Sequence, residues 1–175
     1  MSGGAPDYAA PVIGWRTWLV DDSRGEALLT SVVRPAEWPA GEPTAAACPW
    51  VGFSHRPPGP GCRCGIHAAR AVEEAAFHAE LPSRRDDALA IGLVALWGNV
   101  VEGEKGWRAS SAYPSVLYVP VRRAAERPRC ERVAWDLTVY GVPTTLLDCT
   151  DRGIAEALRA TTPAARGPLP VPIAA

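Results

Sequence analysis

The sequence predicts a single α+β domain built on a mostly antiparallel sheet, with two or three short helices and one long proline-rich loop. Three observations carry that prediction. Segments at 12–20, 89–97 and 115–121 are rich in β-branched and aromatic residues, or alternate in polarity at the strand period. The stretch 66–80 is instead spaced for a helix. With 175 residues the chain suffices for one ordinary core and is short for two.

Taken in order, residues 1–11 are small and polar and read as a flexible start, and residues 12–160 carry the domain. VIGWRTWLV (12–20) reads as the first strand. The polar turn from Asp21 to Gly25 leads into a second strand over 27–33, giving an opening hairpin. Between 34 and 61 stand Pro35, Pro39, Pro43, Pro49, Pro57, Pro58 and Pro60. Proline removes a backbone donor and fixes φ, so this stretch is neither a regular helix nor a central strand. IHAARAVEEAAFHAE (66–80) reads as a helix whose stripe is Ala68, Ala69, Val72, Ala75, Ala76 and Ala79, with Pro82 just beyond its end.

After a charged turn over 83–87, Leu89, Ile91, Leu93, Ala95 and Trp97 face one side of a long strand. A hairpin loop from Glu102 to Gly106 follows, and 107–109 begins the return. A further strand is expected over 115–121, where Pro120 requires an edge or a bulge. Residues 129–140 read as a short helix with Val133, Leu137 and Tyr140 on one face and Gly141 at C′. A short strand over 144–147 precedes a last helix, capped by Thr150 or Asp151 and running to Arg159. Residues 161–175, with Pro163, Pro168, Pro170 and Pro172, follow neither period and read as a loose proline-rich tail.

Composition narrows the function classes. A hydrophobic fraction of 47% with 21% charged residues is that of a globular chain. A net charge of −1 supplies no global field toward nucleic acid or an anionic membrane, which disfavours both and leaves only a local basic patch open. The first residues lack a basic and apolar leader, and the longest apolar run, 88–97, falls short of the roughly 20 residues a membrane span needs. The expectation is a cytoplasmic protein. Arginine outnumbers the single lysine, Lys105, and Ala, Gly and Pro abound, as in GC-rich bacterial coding sequences. No P-loop, GxGxxG, GxSxG or HExxH pattern occurs.

The chemically distinctive pattern is Cys48-x6-His55-x6-Cys62-x-Cys64. Three thiolates and one imidazole complete a tetrahedral shell of the structural zinc type, and this soft ligand set selects zinc over magnesium or calcium. Gly61 and Gly65 flank the cysteine pair and free the backbone to turn both sulfurs to one point. Zinc knuckles space such pairs by two to four residues, whereas only Arg63 intervenes here. The location is as telling as the spacing, since a metal would cross-link a segment that secondary structure cannot order. The bland alternative makes the cysteines buried fillers and His55 a partner of a loop carbonyl.

A thiol enzyme would use the same residues differently. Cys64 lies just before the expected 66–80 helix, whose dipole would favour a thiolate. His55 would then be the base and Cys62 a resolving thiol. His67, Glu74 and His78 share one stripe of that helix, most simply a solvated face with Glu74 and His78 paired. Cys130 and Cys149 lack ligand-spaced neighbours and read as core. The arginines at 122, 123, 127, 129 and 132 read as a solvated basic stretch. Trp15/Arg16 and Trp107/Arg108 suit either a stacking cleft for a base or, more simply, strands with tryptophan inward.

GWRTW (14–18), the His55…Cys62-Arg63-Cys64-Gly65-Ile66 stretch and ALWGNVVEGEKGWRASSAYP (95–114) resemble a family of small uncharacterised actinobacterial proteins, over roughly residues 11–147. The most specific words are CxCGI and LWG…GWRA…AYP. The resemblance implies a compact cytoplasmic domain in which the Cys/His stretch belongs with the LWG block, and it implies no activity. Taken together, the sequence reads as a zinc-fastened binding or adaptor module for a protein partner. Second comes a thiol enzyme with Cys64 as nucleophile, and third a nucleotide or nucleic-acid binder.

Overall fold

The computed structural model describes residues 10–23, 25–34, 36–50, 55–84 and 86–162, the Ser83 side chain aside. The expected flexible start and proline-rich tail lie almost wholly outside them. The fold is α+β with a mixed, mostly antiparallel sheet, as the sequence predicts. In chain order its elements begin with β1 (Val12–Asp21), β2 (Leu28–Ser31), β3 (Glu37–Trp38), β4 (Thr44–Ala45) and β5 (Ile66–Ala69). Helix α1 (Val72–Glu80), β6 (Leu89–Gly103), β7 (Gly106–Val121), α2 (Arg127–Asp136), β8 (Thr144–Asp148) and α3 (Ile154–Thr161) follow. No helix among the described residues is long and apolar enough to cross a membrane.

The opening hairpin forms as expected, with Trp18 opposite Ser31 and Asp21 opposite Leu28. β1 then pairs along its other edge with β6, from Val12↔Leu96 to Leu19↔Leu89. β6 returns into β7 through the Glu104-Lys105 turn. Two sequence expectations need correction here. The first is β7, which is one strand of 16 residues where two pieces were expected over 107–109 and 115–121. Pro114 fits because the β6–β7 register shifts beside it, between Leu93↔Val116 and Val94↔Pro114. Pro120 lies past the last β6 pair, Ile91↔Tyr118, and is opposite Leu147 of β8. The bulge and the free edge absorb the missing donors.

The second correction concerns 66–80, which divides into strand β5 and helix α1. Alanine-rich sequence favours helix locally, but pairing decides at Ile66–Ala69. Ile66 sits opposite Ala109, and Ala69 opposite both Gly106 and Trp15. β5 thereby links β1 to β7, and the pairings β1–β6–β7–β5–β1 close a small ring. His67 is consequently on a strand and His78 on a helix, so no common stripe joins them. Glu74 is ion-paired with Lys105 at 3.0 Å instead of with His78.

The core follows from this closure. Trp15, Trp18, Trp38 and Trp107 are all fully buried, with Leu29, Ile91, Leu96 and Leu117. In β6 every residue from Leu89 to Val94 is buried, so both faces of that half are covered and the expected one-sided alternation gives way. α1 packs on β1 and on α3, and Thr17 Oγ1 donates to the Ala75 carbonyl at 2.7 Å. α2 packs on β7 and on β8, which runs parallel to β7 after the α2 crossover. Cys130 and Cys149 are buried, and burial pushes the Cys149 thiol up to about 12.

Helix ends hold in part. The helix expected over 129–140 is α2, which ends at Asp136, followed by a 3-10 turn over Leu137–Tyr140. Val133, Leu137 and Tyr140 are buried as expected, and the left-handed Gly141 ends the turn instead of the α-helix. Neither Thr150 nor Asp151 caps α3. Gly153 is its N-cap, and Glu80 Oε1 accepts from the Ile154 N–H at 2.7 Å across the α1–α3 interface.

Tyr140, in the 3-10 turn that follows α2, ties that end of the helix to β2 and β3. Its hydroxyl donates to the Trp38 carbonyl at 2.6 Å and accepts from the buried Leu29 N–H at 2.9 Å. Tyr140→Phe strands that donor in the core and is expected to cost about 1–3 kcal/mol, measurable by urea unfolding. An unchanged midpoint would show that water reaches the Leu29 amide.

Candidate metal centre

The Cys/His loop begins where β4 leaves β7 and ends where β5 joins it. Thr44 lies opposite Ala112, and the Ala46 N–H donates to the Ser110 carbonyl at 2.8 Å. Gly61 takes a left-handed φ of 71° just before Cys62, a conformation that glycine adopts without strain. The Cys62 N–H closes the turn on the Gly59 carbonyl at 3.2 Å. Gly59 also leaves room for the imidazole, since a Cβ there would lie 2.3 Å from His55 Cδ2. The one-residue spacing of Cys62 and Cys64 is thus served by a glycine turn in front and the start of β5 behind.

The ligand atoms of Cys48, His55, Cys62 and Cys64 all lie within 4.8 Å of one another. Cys48 Sγ is 3.8 Å from Cys62 Sγ, and His55 Nε2 is 3.1 Å from Cys64 Sγ. Sulfurs placed ~2.3 Å from one ion at the tetrahedral angle are about 3.8 Å apart, so the Cys48–Cys62 edge matches a metal–thiolate shell. That separation is far beyond the ~2.05 Å of a disulfide, and all five cysteines are free. Cys62 and Cys64 are buried, at 8% and 5% exposure, while Cys48 and His55 are half-buried. The donor set and its clustering could hold a metal ion.

Electrostatics separates the two paired thiols. The Cys64 backbone N–H pulls the Cys62 thiol below its usual range, whereas burial pushes that of Cys64 up. The Gly59 N–H, 3.4 Å from Cys64 Sγ, works in the opposite sense and favours its thiolate. Because β5 is a strand, Cys64 is not at a helix N-terminus, and the dipole that a nucleophilic role would draw on is missing at this position.

Two distant segments hold the loop to the sheet. Gly98, at φ 76°, and Asn99 together oppose Ser110 where the β6–β7 register shifts again. This bulge aims Asn99, whose amide nitrogen donates to the Pro58 carbonyl at 3.1 Å. Arg108, opposite His67 in register, donates to the carbonyls of Cys62 and Cys64, the latter at 3.0 Å. One residue of each of the Trp97-Gly98-Asn99 and Gly106-Trp107-Arg108 words therefore holds the loop, Asn99 at Pro58 and Arg108 at the cysteine pair. Spacing alone did not single out Asn99 or Arg108 as loop-holding residues. Asn99→Ala is expected to weaken metal retention about fivefold, from ~1 kcal/mol of lost bonding. Competition with a zinc chelator reads this, and retention equal to wild type would remove Asn99 from the site.

The tryptophan–arginine pairs do not form a cleft. Trp15 and Trp107 are core residues, and Arg108 is engaged as above. The Arg16 guanidinium stacks 4.8 Å from the Trp38 ring and donates to Ser31 Oγ at 2.9 Å and to the His67 carbonyl. Burial lowers Arg16 to about 10, which leaves it a cation at neutral pH. Burial also holds His67 below its usual range, with Arg16 and Arg108 adding to the effect. No protein-family model, curated protein or solved structure matches this chain.

Proposed function

We propose that the chain is a small binding or adaptor module whose proline-rich loop is fastened by one structural zinc ion held by Cys48, His55, Cys62 and Cys64. The observation that carries this reading is the convergence of four ligand atoms within 4.8 Å. Four protein ligands close the tetrahedron and leave no position for water or substrate, which is the arrangement of structural sites. When bound, the ion supplies a cross-link between β4 and β5 that the loop cannot build from backbone pairing. The Gly59 N–H, the Asn99 amide and the Arg108 guanidinium orient that loop around it. The compartment read from the sequence is the cytoplasm.

A second reading, thiol chemistry at Cys64 with His55 as base, has the 3.1 Å contact between their reacting atoms in its favour. Burial of Cys64 and the strand behind it stand against it. Metal content and alkylation decide between the two. One zinc per chain with a slowly alkylating Cys64 supports the fastened module. Metal-free protein whose Cys64 alkylates rapidly near neutral pH overturns it in favour of the thiol enzyme.

A further inference from the structure

Arg70, Arg84, Arg122, Arg123, Arg127, Arg129 and Arg159 each face a carboxylate. The basic stretch around 122–129 is thereby neutralised. Among the described residues, Arg34, Arg56, Arg63, Arg132 and Arg152 are exposed and have no such partner. The first three belong to the Cys/His loop or its approach. Arg56 follows His55, Arg63 separates Cys62 from Cys64, and the Arg34 guanidinium lies 5.2 Å from the Trp50 ring. Trp50, two residues after Cys48, is 52% exposed, unlike the four tryptophans of the core. The acidic residues on the same approach are Glu37 and Glu42.

From this juxtaposition we infer that the rim of the metal loop binds single-stranded nucleic acid, with Arg34, Arg56 and Arg63 on phosphates and Trp50 stacked on a base. The inference rests on the zinc reading, because the metal is what gathers Trp50, Arg56 and Arg63, which follow its ligands, beside Arg34 of the β2–β3 turn. Guanidinium groups match phosphate in geometry and charge. An exposed indole adds a flat face that every unpaired base can cover, and a base inside a duplex cannot. The whole-chain charge of −1 does not oppose this, since screening confines the field to about 10 Å at ordinary salt.

The test uses the full chain loaded with zinc and a fluorescently labelled oligothymidine of about 20 nucleotides, followed by anisotropy. Binding is expected with a log–log salt slope of about −2, for three phosphate contacts on a single strand. Trp50→Ala should weaken binding about tenfold. The triple change Arg34→Ala, Arg56→Ala and Arg63→Ala should flatten the salt slope. Circular dichroism and metal content of these surface variants should match wild type. Absence of binding, or binding indifferent to Trp50→Ala, overturns the proposal. So does equal binding to duplex DNA, heparin or anionic phospholipid vesicles, each of which needs charge and no base stacking. Trp50-dependent binding that survives zinc removal would overturn the premise that the metal assembles this surface, whereas protein purified without zinc would overturn the zinc reading itself.

Discussion

Cys64→Ser is expected to abolish stoichiometric zinc and to lower the stability of the folded domain by roughly 4 kcal/mol. That figure is the linkage energy of a ligand held at about a thousand times its dissociation constant. Serine is close in size to cysteine, so the change removes a ligand while leaving little cavity. The domain should survive the loss, because its core runs through the sheet and the three helices and includes none of Cys48, His55, Cys62 and Cys64. A strong chelator should destabilise the wild type by the same amount and leave the variant unmoved. Urea titrations of both proteins, with and without chelator, close that cycle. A variant as stable as the metal-loaded wild type would mean that the loop is ordered by its own contacts.

Trp107→Ala should be the most damaging single change in the core, at about 3–5 kcal/mol. Trp107 is 2% exposed, lies opposite Ala68 in the strand that closes the ring, and has the Arg70 guanidinium 4.3 Å from its ring. Removing the indole leaves a cavity at the junction of β5 and β7 and a guanidinium without its aromatic face. Thermal unfolding should fall by roughly 10 °C for a chain of this size. Zinc should stay bound at low temperature, since no ligand is touched. A small loss of stability together with lost binding of a planar ligand would instead restore the stacking cleft.

The sheet was legible because its strands announce themselves. Residues 12–20 and 89–97 carry the period and the aromatic residues, and both strands form where expected. The buried face of α2 and the turn after it was legible too, through Val133, Leu137, Tyr140 and the glycine behind them. What sequence could not supply was pairing. Nothing local says that Ile66–Ala69 leaves a helical pattern to close a ring between β1 and β7. Nothing local says that Gly98 bends a strand so that Asn99 reaches Pro58. The candidate site was half legible for the same reason. Cys48, His55, Cys62 and Cys64 stand out by residue type and do converge. Asn99 and Arg108 are ordinary strand residues until the fold brings them to the loop.

The Cys/His loop is therefore where the metal reading stands or falls, and X-ray absorption at the zinc edge tests it most directly. Protein purified without added metal should give one zinc with three sulfurs at ~2.3 Å and one nitrogen at ~2.0 Å. Oxygen ligands in place of sulfur, or no bound zinc at all, would contradict a metal-fastened loop.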